Sequence, residues 1–139
     1  MWSKSYSKTV AGLKAEQVWA VWENINQWHL WQPDIEYATI EGEFQAGTFF
    51  TLKPKGGPRV KIELIEVVPC KRFTDLTRFP GAKMYGSHEF MVHGDALEIR
   101  TTMSIEGPLS FLWKKVVAQD IANGMPEQTE SLINKVRNG

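Results

Sequence analysis

Histidines 29, 88 and 93 and the single cysteine, Cys70, are the side chains of this chain best suited to move a proton or attack an electrophile near neutral pH. The histidines share no metal-ligand spacing with cysteines or paired carboxylates, so no metal site is expected. Cys70 follows Pro69 at an expected turn with no histidine near it in sequence, and reads as a free thiol without an assigned role. Glu127 and Glu130 stand three apart on one helical side, where paired carboxylates are ordinarily solvated. The run Lys55-Gly56-Gly57-Pro58-Arg59 lacks the Gly-Lys-Ser/Thr ending of a phosphate cradle and reads as a hairpin turn. Neither a Gly-x-Ser-x-Gly elbow nor a His-Glu-x-x-His helix occurs, and no cofactor is expected.

His88 is the exception, because its strand alternation sets it among apolar residues. The ordinary reading is a core histidine bonded to Thr101 or a water. The functional one is a proton shuttle or ligand anchor facing a cavity. Arg78 and Tyr85 are the candidate oxyanion partners of such a base. Tyr85 alternates outward, which counts against it. Arg78 turns inward if it pairs beside Met84 across Pro80-Gly81, and outward if a one-residue bulge turns Phe79 in instead.

The elements that must position these groups follow from periodicity. Residues 5–11 alternate as a strand. Val18, Val21, Trp22 and Ile25 form the stripe of a short amphipathic helix, with Trp19 off that stripe. Asn26 is a candidate cap for a second short helix through Trp28 and Trp31, stopped by Pro33. The period then becomes two, predicting strands at 36–40, 47–53, 59–67, 72–79, 84–93 and 96–105, each gap carrying turn residues. Short turns between successive strands force antiparallel neighbours. After Gly107-Pro108 the apolar residues Leu109, Leu112, Trp113, Val116 and Val117 mark a long helix, continuous to about residue 123 and distorted around Gly124 and Pro126. That distortion is expected near a cavity mouth, where a loosened turn admits ligand.

Register can be tested on paper, because a one-residue slip reverses every side chain. Pairing Leu52 with Val60 also pairs Phe50 with Ile62, an apolar face. Pairing Val92 with Leu97 aligns Phe90 with Ile99, His88 with Thr101 and Met84 with Ile105. The opposite face then sets Glu89 against Arg100, an exposed pair expected on the convex side.

Sixteen basic residues balance sixteen acidic ones in 139, giving no broad footprint for nucleic acid or an anionic membrane. No apolar run is long enough to span a bilayer, and no leader-like segment opens the chain. With one cysteine and no possible internal disulfide, a cytoplasmic location is expected. Five of six tryptophans precede residue 32, and such rings serve as core fillers or ligand walls.

Ala15-Glu16-Gln17-Val18-Trp19, Trp31-Gln32-Pro33-Asp34-Ile35, Glu41-Gly42 and Gly47 occur in an ordered series. Glu66-Val67-Val68-Pro69, Gly94-Asp95-Ala96-Leu97 and Glu106-Gly107-Pro108-Leu109 continue it. In order and spacing this series resembles the START-like (SRPBCC) superfamily, which includes polyketide cyclase/dehydrase-type, pollen-allergen-like and lipid-transfer domains. The resemblance covers nearly all of residues 1–139, as one domain. It implies an α+β helix-grip fold, with a curved antiparallel sheet wrapped around a long C-terminal helix and two short helices after the first strand. Where the superfamily often carries an aspartate after the first helix, this chain has Glu23-Asn24, so no precise active site transfers.

The expected function is binding of a small hydrophobic or amphipathic ligand between sheet and helix. The expected lining is Trp28, Trp31, Phe50, Ile62 and His88, continued by Phe90, Met103, Trp113 and Val117. A cyclase or dehydratase acting without metal is the enzymatic alternative, with His88 as base and Arg78 as partner. A homodimer joined through exposed Trp2 and Phe49 is the third.

Overall fold

The computed structural model describes residues 2–138. Seven antiparallel strands form one sheet: β1 (Trp2–Ala11), β2 (Ile35–Ile40), β3 (Phe49–Pro54), β4 (Val60–Val68), β5 (Arg72–Phe79), β6 (Ala82–His93) and β7 (Ala96–Glu106). Their order is β1-β7-β6-β5-β4-β3-β2, so β2 to β7 are a meander and β1 closes onto the last strand. This is the α+β helix-grip arrangement that the resemblance implies, with the order of elements expected from the periodicities.

Helix α1 (Ala15–Glu23) and a 3-10 turn (Ile25–Leu30) follow β1. Gln17 supports the start of α1, its Oε1 accepting the Lys14 backbone N–H at 3.0 Å. The expected cap at Asn26 is not made. Its amide instead grips the β2 backbone: Oδ1 accepts the Ile40 N–H at 2.9 Å and Nδ2 donates to the Ile40 carbonyl at 3.4 Å. This satisfies edge-strand groups that no eighth strand covers. Trp19, off the apolar stripe, is nevertheless buried and meets Trp22, Phe44, Phe73 and Phe90 edge-on. Curvature of the sheet around α1 reaches the flank of the helix as well as its face.

Both hairpin registers hold. Phe50 faces Ile62 and Leu52 faces Val60, while Val92, Phe90, His88 and Met84 face Leu97, Ile99, Thr101 and Ile105. Glu89 opposes Arg100 on the convex side at 3.6 Å.

After β7 the chain winds through α2 (Ser110–Trp113), a widened π turn (Lys114–Ala118) and α3 (Gln119–Asn123), bends at Gly124, and continues as α4 (Met125–Asn138). The break at Gly124 is as expected. The π turn is not: apolar spacing from Leu109 to Val117 cannot distinguish it from ordinary helix. Pro126 lies in the first turn of α4, where its missing N–H costs no bond. The start of α2 is tied to the β5–β6 turn, with the Leu109 N–H donating to the Gly81 carbonyl at 2.9 Å and Trp113 Nε1 to the Pro80 carbonyl at 2.8 Å. Lys8 pairs with Glu130 and so joins β1 to α4.

The core is divided into two groups. The larger holds the aromatic residues of α1 and the 3-10 turn with Phe50, Ile62, Leu64, Phe73, Phe90, Leu97 and Ile99, closed by Leu132 and Ile133 of α4. The smaller holds Met84, Met103 and Ile105 against Ala118, Ala122 and Met125. No helix among the described residues is long and apolar enough to cross a membrane.

Candidate functional site

Between the two apolar groups the concave face of the sheet carries polar side chains. Cross-strand register places Tyr6, Thr101, His88 and Phe73 in one row and Met103, Gly86 and Asp75 in the next, followed by Ile105, Met84 and Thr77. Thr101 and Thr77 are buried. His88 and Asp75 each retain 18% of their side-chain exposure, so solvent reaches both from inside the curve of the sheet.

The His88 ring is fixed by aromatic neighbours. It stacks on Phe73 with centroids 4.5 Å apart and planes 15° apart, and meets Trp22 edge-on at 5.9 Å. Such contacts contribute about 0.5–1.5 kcal/mol each beyond area burial. Its Nε2 is turned to Asp75 Oδ2, 3.6 Å away, rather than to Thr101, its cross-strand neighbour. At that separation the two groups make no well-formed direct hydrogen bond, and each keeps bonding capacity for a third group beside them. Gly86 makes the arrangement possible, since a Cβ there would lie 2.8 Å from Asp75 Oδ1.

Arg78 does not join this group. Pro80-Gly81 is a plain two-residue turn that pairs Phe79 with Ala82 and Arg78 with Lys83, so Arg78 points to the convex side. There its guanidinium donates to Glu63 Oε1 at 2.7 Å. The same register turns Phe73, Asp75 and Thr77 inward, and correcting the parity of β5 removes the cation while supplying a carboxylate. Tyr85 lies outward as expected. Its hydroxyl donates to Glu106 Oε1 at 2.9 Å, and that hydrogen bond holds the phenol above its ordinary pKa.

The nine expected lining residues do not meet at one place. Trp28, Trp31, Phe50, Ile62 and Phe90 are buried in the larger group. Met103, Trp113 and Val117 belong to or flank the smaller one, with Trp113 stacked on Phe79 at 4.5 Å. His88 lies between them. Trp28 Nε1 donates to the Trp22 carbonyl at 3.0 Å, which marks a structural ring. Trp22 and Asp75 are the site residues that sequence reasoning missed. Alternation from Phe73 was the available signal for Asp75.

Two recesses are open on the surface, one of about 460 Å³ lined by Cys70, Arg72, Glu89 and Met91 among others, the second of about 390 Å³ between Leu30, Trp31 and α4. Neither includes His88 or Asp75. Among the described residues no cluster of histidine, cysteine, aspartate and glutamate has the geometry of a metal site.

No curated protein sequence matches the chain. Solved structures match its fold over nearly its whole length. A hypothetical protein from Helicobacter pylori superposes with a TM-score of 0.76 at 16% identity, over 96% of this chain and 87% of its own. Norcoclaurine synthase from Thalictrum flavum gives 0.75 at 15% identity, over 99% and 87%. A START superfamily protein from Mycobacterium smegmatis gives 0.71 at 14% identity, over 98% and 97%. Identities this low establish a shared fold and nothing finer. The sequence profile described as polyketide cyclase / dehydrase and lipid transport matches residues 1–133, and the chain belongs to that family.

Proposed function

We propose that this protein binds a small hydrophobic or amphipathic molecule between the concave face of its sheet and the C-terminal helix, with His88 as a polar contact. One observation carries the reading: a polar band, reached by solvent, separates two apolar groups in the core. A ligand lying across the band would meet its hydrogen-bonding groups and join the apolar groups on either side. Entry would require movement of the segment from α2 to α3. Its widened turn and its exposed Phe111 and Val116 fit a helix held less firmly than α4.

The test is a thermal-shift screen of aromatic and acyl compounds on the wild type and His88→Phe, with native mass spectrometry of the purified protein for a retained molecule. Compounds that stabilise the wild type and lose affinity for a folded His88→Phe support the reading. Equal binding to both reduces His88 to a packing residue.

A cyclase or dehydratase is the enzymatic version of the same proposal, favoured by the proximity of His88 and Asp75, which together resemble a base and its orienting carboxylate. It would work without Arg78. Self-association is a further reading. Phe49, exposed beneath Lys61, and Trp2, half-buried beneath Lys114, offer less free surface than Phe111, which is 70% exposed. The mass of the particle in solution separates a dimer from a monomeric carrier. A reducing cytoplasm, with no nucleic-acid partner, suits the neutral charge and single exposed thiol.

A further inference from the structure

The chemistry of the polar band narrows the ligand class, on the premise that the concave face is a binding site. Asp75 stands on β5 among neutral neighbours: Thr77 on its own strand, Gly86 opposite, and Leu64 across on β4. Among the described residues His88 is the only basic side chain paired with its carboxylate. Cations at the β1 edge are engaged elsewhere, Lys8 with Glu130 and Lys4 with Asn123 Oδ1 at 3.3 Å. The band therefore holds one carboxylate and one imidazole, with no lysine or arginine beside them.

We infer that Asp75, accommodated by Gly86 and set against His88, accepts a hydrogen bond from the hydroxyl of a neutral aromatic or alicyclic alcohol, so that the site takes phenol-like molecules and rejects carboxylates. A hydroxyl can donate to the carboxylate while its oxygen accepts from an imidazole N–H, which uses both members of the pair. At 3.6 Å Nε2 and Oδ2 are too far apart for a well-made direct bond, which leaves both atoms free to bond a hydroxyl that approaches from the side. A carboxylate ligand of the same body would bring like charge beside Asp75 in a poorly solvated place and offer no donor. Apolar walls are at hand in Trp22 and Phe73, both in contact with the His88 ring.

The experiment compares 2-naphthol with 2-naphthoate at neutral pH, two probes with one body and different polar groups, by quenching of tryptophan fluorescence and by calorimetry. Trp22, beside His88, is a built-in reporter. The wild type should bind the naphthol at least about ten-fold more tightly, the usual worth of a hydrogen bond to a charged group. In Asp75→Asn that preference should fall to within about three-fold, chiefly because the naphthoate gains once like charge is removed. Equal or tighter binding of naphthoate by the wild type overturns the inference without any variant, as does an unchanged ratio in folded Asp75→Asn. Should Asp75→Asn fail to fold, His88→Gln must weaken naphthol more than naphthoate, and the reverse order counts against the site. If neither probe binds the wild type, the concave face is not a binding site for such bodies and the parent reading fails with it. If both bind without discrimination, the proposed binding face stands and only the assignment of Asp75 falls.

Discussion

Gly86 lies directly across from Asp75 in the sheet, and a Cβ added to Gly86 would meet Asp75 Oδ1 at 2.8 Å. The absence of a side chain on β6 is what lets a carboxylate occupy the concave face of β5. Gly86→Ala should therefore move the Asp75 carboxylate while leaving the fold intact, because the clashing atom ends a side chain that can rotate. Backbone entropy favours alanine in a strand by about 0.5–1 kcal/mol, so Tm should change little or rise slightly. The imidazole signals of His88 should shift in a two-dimensional NMR spectrum. A fall in stability of more than about 2 kcal/mol would show that the glycine serves packing and not the carboxylate.

Arg78 and Glu63 form an ion pair whose arginine side chain is 53% exposed. Arg78→Ala should cost no more than about 1 kcal/mol in urea unfolding, with less effect at high salt. Ligand binding should be unaffected. A loss of binding in this variant would return Arg78 to the site.

Gly107 occupies a backbone conformation with φ of 116°, and a Cβ there would stand 2.5 Å from the Gly81 carbonyl oxygen and 2.9 Å from Ala82 Cα. Both are backbone atoms of the β5–β6 turn, and neither can rotate aside. Gly107→Ala should destabilise the protein by about 2–4 kcal/mol, combining strain with the parting of α2 from that turn. Circular dichroism melting measures the loss. A variant as stable as the wild type would mean that the link from Leu109 to Gly81 is dispensable.

Glu98 is held below its ordinary pKa of 4.5, first by its hydrogen bond with His93 and next by that with Arg100. A carboxyl depressed in the folded state stabilises the protein above its unfolded pKa, and that contribution is lost as pH falls through the folded value. Glu98→Gln should be less stable than the wild type at pH 6, with the two converging as pH falls below about 4. Paired melts across that range check the sign. A difference that grows on acidification would contradict it.

Sequence by itself determined the order of elements, the antiparallel meander and the two hairpin registers, because alternation of apolar and polar residues is a local property and one slip reverses a whole strand. Phe50 opposite Ile62 and Phe90 opposite Ile99 were legible for that reason. The family resemblance was legible too, since it rests on turns and helix boundaries set by short-range chemistry. What only the tertiary structure decided was the parity of β5, which hangs on the Pro80-Gly81 turn. Its two residues fix Arg78 outward and Asp75 inward, and neither residue's own type could say so. The same holds for Asn26, whose amide serves a strand fourteen residues away instead of its own helix. It holds also for the π turn at Lys114–Ala118, which rotates the helix so that Leu109, Leu112 and Val116 of the expected apolar stripe stand exposed while Ala118 and Ala122 are buried. Division of the core into two groups with a polar band between them arises where residues from three strands meet across the sheet. Proximity of that kind is set by packing over long sequence separation, which no periodicity along a single strand records.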